Sequence, residues 1–403
     1  MSETWFLAAL WLGLALVATL LSIWLRIATA LSEIVVGTVA QLVIGALIGG
    51  AVLGMDQSWV KFLSGTGAIV LTFLAGAELD PVVFREKWKA AVGIGLVSFL
   101  VPFLGCTALA YYLLHWSAQA SWLAGVAMST TSVAVVYAVM LEFGLNTTIF
   151  GKTVLAACFI TDLGTVLALG MLFAPFTFRT GIFVGASVLV FAVLPFITPH
   201  FFKRYGNRPS ELEAKYLLLI LFGMGGLAVW ADSEAVLPAY LTGMVLAGTV
   251  GKDHVLIRRL RTLTFGLLTP FYFIRAGSFV SVPALIAAPG VLLLLLAGKM
   301  AAKFAVHPVA KYFGHSQREG MYTTLLMSTG LTFGSIAALF GLSHHLIDTR
   351  QYSLLVAAVI LSAVVPTLIA NAFYLPRHLL KSPVKTETTA AVAATDSSEG
   401  AQT

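Results

Sequence analysis

Three ionisable side chains sit inside long apolar runs of this chain. Asp162 stands near the middle of AACFITDLGTVLALGMLF (156–173), Arg275 in PFYFIRAG, and Lys299 in LLLLLAGKMAAKF. A charge at the centre of a membrane helix costs about 2.5–3.5 kcal/mol on the mildest insertion scale, so each is expected to face a partner or a cavity. A buried aspartate can bind either a proton or a cation. Exposed first to one side of a membrane and then to the other, it exchanges the two. Lys299 reads as a cation able to pair with such an acid or give up its own proton, whereas Arg275, which keeps its proton, reads first as a structural pairing partner.

The composition requires lipid around these groups. Hydrophobic residues make up 59% of the 403 and charged residues only 10%, against about 25% charged in soluble proteins. The chain is therefore an all-α polytopic membrane protein, expected in the cell (inner) membrane. Its formal charge of +6 sits in short loops between apolar runs, where lipid orientation explains it better than a nucleic-acid partner. Cys106 and Cys158 lie in apolar runs without CxxC spacing and read as packing residues. No cofactor is expected, since no GxGxxG follows a strand-like run. The run 5–25 follows an acidic start and reads as a first membrane helix rather than a removable signal.

Breaks at charges, prolines and polar clusters give about thirteen spans: 5–25, 34–54, 60–77, 88–113, 119–140, 150–173, 180–202, 213–231, 236–250, 261–280, 284–306, 319–341 and 352–375. Odd-numbered loops and the tail then hold nineteen Lys and Arg, Lys303 among them, and even-numbered loops hold three. That asymmetry places the N-terminus outside and the C-terminus inside. Residues 1–376 form the transport domain. The tail 377–403, rich in Thr, Ala and Ser, is expected to be disordered and cytoplasmic.

Two spans carry matching polar clusters: Met128-Ser129-Thr130-Thr131-Ser132 in the fifth and Met327-Ser328-Thr329-Gly330-Leu331-Thr332 in the twelfth. They are seven spans apart, so they cross the bilayer in opposite directions, as in an inverted repeat. The halves would run roughly 1–173 and 213–376, with 180–202 as linker. Ser and Thr bond their own backbone and Gly330 weakens a helix, so both clusters are expected to unwind at the midplane and expose oxygens to a cation.

These residues resemble the monovalent cation:proton antiporter family, which includes NapA-like sodium/proton exchangers and the membrane part of Kef-type potassium efflux systems. The likeness runs from VVGTVAQLVIGALIGG through AIVLTFLAGAELD, MSTTSVAVVYAVMLEFGLNTTIFGKTVLAACFITDLGTVLALG, LLTPFYFIRAG and LLLLLAGKMAAKF to GLTFGSIAALFGL. The resemblance implies the NhaA/NapA-like fold: a panel that forms homodimers, and a core in which two discontinuous helices cross beside an aspartate. It makes Asp162 the ion-binding aspartate, Lys299 its basic partner, and Thr131 and Ser132 the Thr-Ser of the first broken helix. Thr161 stands where charge-moving members have another aspartate. Gly330, Leu331 and Thr332 replace a charged cluster, for which Arg275 is a candidate relocated charge, facing Asp162 or Glu78.

With one carboxylate, the simplest cycle swaps one Na⁺ or K⁺ for one proton and moves no net charge. A cation channel or another ion-coupled solute transporter on the same fold is the alternative, although no TVGYG-like filter is present. Enzyme chemistry is not expected: an aspartyl protease needs paired acids, and GxSxG and HExxH are missing.

Overall fold

The structure is a computed structural model that describes residues 2–25, 27–48, 53–77, 81–173, 177–206, 210–231, 233 and 235–379. Glu78 and the tail beyond 379 lie outside the described residues, while Arg377–Leu379 forms one 3-10 turn. Among the described residues, ten helical stretches are long and apolar enough to cross a membrane.

Eight helices build a panel: α1 (Ser2–Leu25), α2 (Thr29–Ile48), α3 (Ser58–Ala77), α8 (Phe178–Tyr205), α9 (Leu212–Trp230), α10 (Val236–Leu246), α11 (His254–Leu263) and α12 (Thr269–Ser278). The others form a core bundle: α4 (Pro81–Ala108), α5 (Ala118–Ser129), α6 (Val133–Glu142), α7 (Ile149–Phe173), α13 (Val282–Ala287), α14 (Pro289–Lys303), α15 (Val306–Tyr312), α16 (Gln317–Met327), α17 (Thr332–Ser343) and α18 (Thr349–Ile369). Separate hydrophobic clusters mark the division. One joins α3 with α8 to α11, another joins α1, α3 and α12, and the largest fills the core bundle and its seam with the panel.

Panel pairings run between the N-terminal and C-terminal parts of the chain, and core pairings within each. In the panel, α2 lies on α12 and α3 lies on α10; in the core, α4 lies on α7 and α14 on α18. Glycine makes both panel crossings possible. A Cβ on Gly37 would meet the Ile274 carbonyl, and one on Gly277 would meet the Ile34 carbonyl. The same reciprocity recurs where Gly76 faces the Tyr240 carbonyl and Gly243 the Phe73 carbonyl. Backbones therefore touch directly, a mode that small residues permit in membranes where apolar area alone drives little association.

Both polar clusters unwind as expected. Helix α5 ends at Ser129 and α6 starts at Val133, with Thr130 extended (φ −60°, ψ 150°). Helix α16 ends at Met327 and α17 starts at Thr332, after Leu331 at φ −146°, ψ −70°. Local hydroxyl bonds compete with the helix: Ser129 Oγ donates to the Val126 carbonyl at 2.8 Å, Thr130 Oγ1 to Ala127 at 3.0 Å, and Thr329 Oγ1 to Leu326 at 2.7 Å. Ser328 Oγ donates to the Thr324 carbonyl at 2.7 Å.

Three of the differences from the sequence reading move charged residues. Helix α2 starts at Thr29, which takes Glu33 out of a loop and buries it, 2% exposed, in the second turn. The tenth span starts earlier as α11, because its basic, amphipathic first half lays Leu256, Ile257 and Leu260 against protein. A π-helical turn, Thr264–Leu268, then joins α11 to α12. Lys303 is not a loop residue; it is fully buried in the last turn of α14.

Candidate functional site

The two breaks meet. Ser132 N–H donates to the Thr329 carbonyl at 2.9 Å, and Thr131 Oγ1 donates to the Met327 carbonyl at 2.8 Å. Unwound backbone survives at membrane depth only when protein satisfies it, and here each break supplies partners for the other.

Asp162 lies beside this crossing on α7 and is buried, with Oδ1 finding no hydrogen-bond partner among the described residues. It lines a cavity of about 60 Å³. The panel contributes Leu71, Leu74, Ala75 and Phe265, and the core contributes Val133, Ala134, Thr332 and Phe333. These last four residues are the first turns of α6 and α17. Both half-helices thus begin at the cavity that Asp162 lines, so the positive ends of their dipoles lie beside the carboxylate, and α17 starts without a side-chain cap. An anion is stabilised at such ends and a cation is admitted by the anion.

Two lysines, one turn apart on α14, serve different breaks. Lys299 Nζ donates to Ser362 Oγ at 3.0 Å, and that hydroxyl lies 3.4 Å from the Gly330 carbonyl. A Cβ at Gly330 would collide with Lys299 Nζ and lie 2.7 Å from Thr130 Oγ1, so Gly330 leaves room for the lysine. Lys303 Nζ donates to Ser98 Oγ at 2.8 Å, to the Ser129 carbonyl at 2.8 Å and to Thr131 Oγ1 at 3.1 Å. Among the described residues no cation lies within ion-pair distance of Asp162.

The other expected site residues divide. Thr332 lines the Asp162 cavity. Thr161, though adjacent in sequence, gives its hydroxyl to the Gly95 carbonyl (3.3 Å) and its own Ala157 carbonyl (3.2 Å). Ser132 Oγ accepts from Val135 N–H at 3.4 Å and so starts α6. Arg275 is elsewhere. Its Nε donates to the Met55 carbonyl at 3.0 Å and its guanidinium lies 5.0 Å from the Phe279 ring centroid, bracing α12 against the turn between α2 and α3. Cys158 is a buried free thiol, 3.6 Å from Met327 Sδ.

Sequence reasoning missed Lys303, Ser98, Ser362 and Tyr240. Tyr240 OH, on α10, donates to the Phe159 carbonyl on α7 at 2.9 Å and ties panel to core beside the cavity. The i, i+4 spacing of Lys299 and Lys303 was the available signal, since it puts both on one face of α14.

Comparison with known proteins agrees with this geometry. The model for the family described as sodium/hydrogen exchanger, transmembrane, matches residues 12–373. The chain is 26% identical over 370 residues to the probable Na⁺/H⁺ antiporter 3 of Methanocaldococcus jannaschii, an alignment covering 88% of this chain and 95% of that one. It is 26% identical to the Na⁺/H⁺ antiporter of Enterococcus hirae, covering 83% and 91%. It is 24% identical to the glutathione-regulated potassium-efflux protein KefC of Salmonella arizonae, covering 73% and 50%. The sodium proton antiporter MjNhaP1 of Methanocaldococcus jannaschii, at pH 8, shares the fold: TM-score 0.68 and 16% identity over 94% of this chain and 98% of that one. With the crossed breaks, the buried carboxylate and a match over nearly the whole length, the chain belongs to the transmembrane sodium/hydrogen exchanger family.

Proposed function

We propose that this protein is a secondary active antiporter of the cell membrane that exchanges Na⁺ or K⁺ for protons by alternating access, with ion and proton competing for Asp162. The carrying observation is the cavity at Asp162. Its walls come from both panel and core, so sliding one against the other would open the carboxylate to alternate sides. The names of the relatives, Na⁺/H⁺ antiporters and a potassium-efflux protein, support the same class of substrates.

Within this proposal the inverted repeats span roughly 1–173 and 213–376 about a linker at 180–202, and the panel pairs two copies in a homodimer. One carboxylate supports one ion per proton. The cycle is then electroneutral and draws nothing from the membrane potential, which otherwise supplies about 2.3 kcal/mol per charge at 100 mV.

Everted vesicles measured with Na⁺, K⁺ and Li⁺ across pH test the core claim. Asp162→Asn is expected to abolish exchange with all three, and exchange that persists in this variant defeats the proposal. Proteoliposomes under an imposed potential test the stoichiometry: a rate that follows voltage without a pH gradient rules out electroneutrality.

A further inference from the structure

Lys303 is fully buried in the last turn of α14 and all three of its hydrogen bonds go to uncharged oxygens. Its ammonium reaches no carboxylate within ion-pair distance among the described residues, although it lies deep in the core. It meets three oxygens instead: two hydroxyls, from Ser98 on α4 and Thr131 in the first break, and the Ser129 carbonyl. Ser129 is the last residue of α5, and its carbonyl carries part of the negative end of that half-helix. The cage is closed on itself, with Ser98 Oγ and Thr131 Oγ1 3.5 Å apart. The Thr131 hydroxyl in turn donates a hydrogen bond to the carbonyl of Met327, the last residue of α16, so the cage touches the ends of both inner half-helices.

The three neutral oxygens stand 2.8–3.1 Å from Nζ, the separation that a large monovalent cation would keep from oxygen ligands. Calcium sits closer to its oxygens, at about 2.3–2.6 Å, and magnesium closer still. We propose that residues Ser98, Ser129 and Thr131 form a second monovalent cation site, of ammonium, potassium or rubidium size, which Lys303 permanently fills as a tethered ion. The plug holds the break in shape and limits the protein to a single mobile ion, the one at Asp162. The part concerning a single mobile ion rests on the antiport reading; the existence of the cage does not.

Thermal unfolding of the full-length protein in rubidium chloride against choline chloride tests the cage in an Asp162→Asn background, which removes the other ion site. Asp162→Asn alone is expected to unfold at the same temperature in both salts. Adding Lys303→Ala empties the cage, and rubidium is then expected to raise the midpoint saturably, by about 2 °C at ten times its dissociation constant. Adding Lys303→Met instead fills the volume without charge, and no rubidium response is expected. Equal midpoints for Lys303→Ala in the two salts, or an equal response from Lys303→Met, overturn the proposal. Where the alanine variant does not fold in choline, extraction in each salt decides: monodisperse protein in rubidium alone supports the cage, and failure in both salts refutes it. Persistent exchange in Asp162→Asn would defeat the antiport mechanism while leaving this binding result readable.

Discussion

At the residue scale, the site separates side chains that line the cavity from side chains that hold carbonyls. Thr161 belongs to the second kind, because both of its contacts are to backbone oxygens of α4 and α7. Thr161→Val is therefore expected to lower stability by about 1 kcal/mol, the net value of such a bond, while leaving the cation concentration for half-maximal exchange unchanged. Vesicle flux and thermal unfolding of the same preparation check both halves. Asp162 was legible in the sequence because it is the one acid at the centre of an apolar run. Lys303 was not, because a lysine near the end of such a run reads as snorkelling to the interface, and only the position of Ser129 and Thr131 around it says otherwise. Glu33 was missed for a similar reason, since placing the start of α2 five residues late left it in a loop.

At the element scale, the panel depends on backbones that touch. Gly243→Ala places a Cβ against the Phe73 carbonyl, 2.8 Å from Ala77 N and 3.0 Å from the Gly76 Cα, with no flexible side chain to yield. It is expected to cost about 1–3 kcal/mol, as overpacking does. Gly226 on α9 offers the control. Its Cβ would meet nothing within 4 Å, so Gly226→Ala is expected to be neutral or to stabilise by up to about 1 kcal/mol through helix propensity. Unfolding midpoints of the two variants check the contrast. The breaks in the fifth and twelfth spans were readable from composition, since a run of consecutive Ser, Thr and Gly residues offers the backbone several local alternatives to the helix at once. Which helices cross at glycine was not readable, because those partners are about 170–240 residues apart and periodicity carries no information at that range.

At the scale of the whole molecule, few polar ties join panel to core near the cavity, and the bond from Tyr240 to Phe159 is one of them. Any sliding of α10 past α7 must break it. Tyr240→Phe is expected to destabilise the conformation described here by about 1 kcal/mol relative to its alternative, a roughly fivefold shift in their ratio. Accessibility of a cysteine placed at Ala75 in the cavity wall, compared with and without the tyrosine, measures it. Outside the membrane-spanning segments, burial holds the His315 imidazole below its ordinary value of 6.5, with Glu319 opposing. The fold thus favours the neutral ring. Its contribution is complete above about pH 6.5 and is lost as pH falls through the lowered value. Thermal midpoints should fall on acidification in that window, and His315→Asn should flatten that part of the curve.

The cavity beside Asp162 sets a condition on whatever enters it. At about 60 Å³ it has room for a handful of water molecules, about 10–15 Å³ of such space sufficing for one. An arriving ion must leave the rest of its hydration shell outside. The carboxylate and the two helix ends then have to replace those lost waters, and how well they do so differs between ions of equal charge. Ranking of competing ions would accordingly follow the work of stripping water from each one, and lithium, sodium and potassium should separate in the activation enthalpy of exchange.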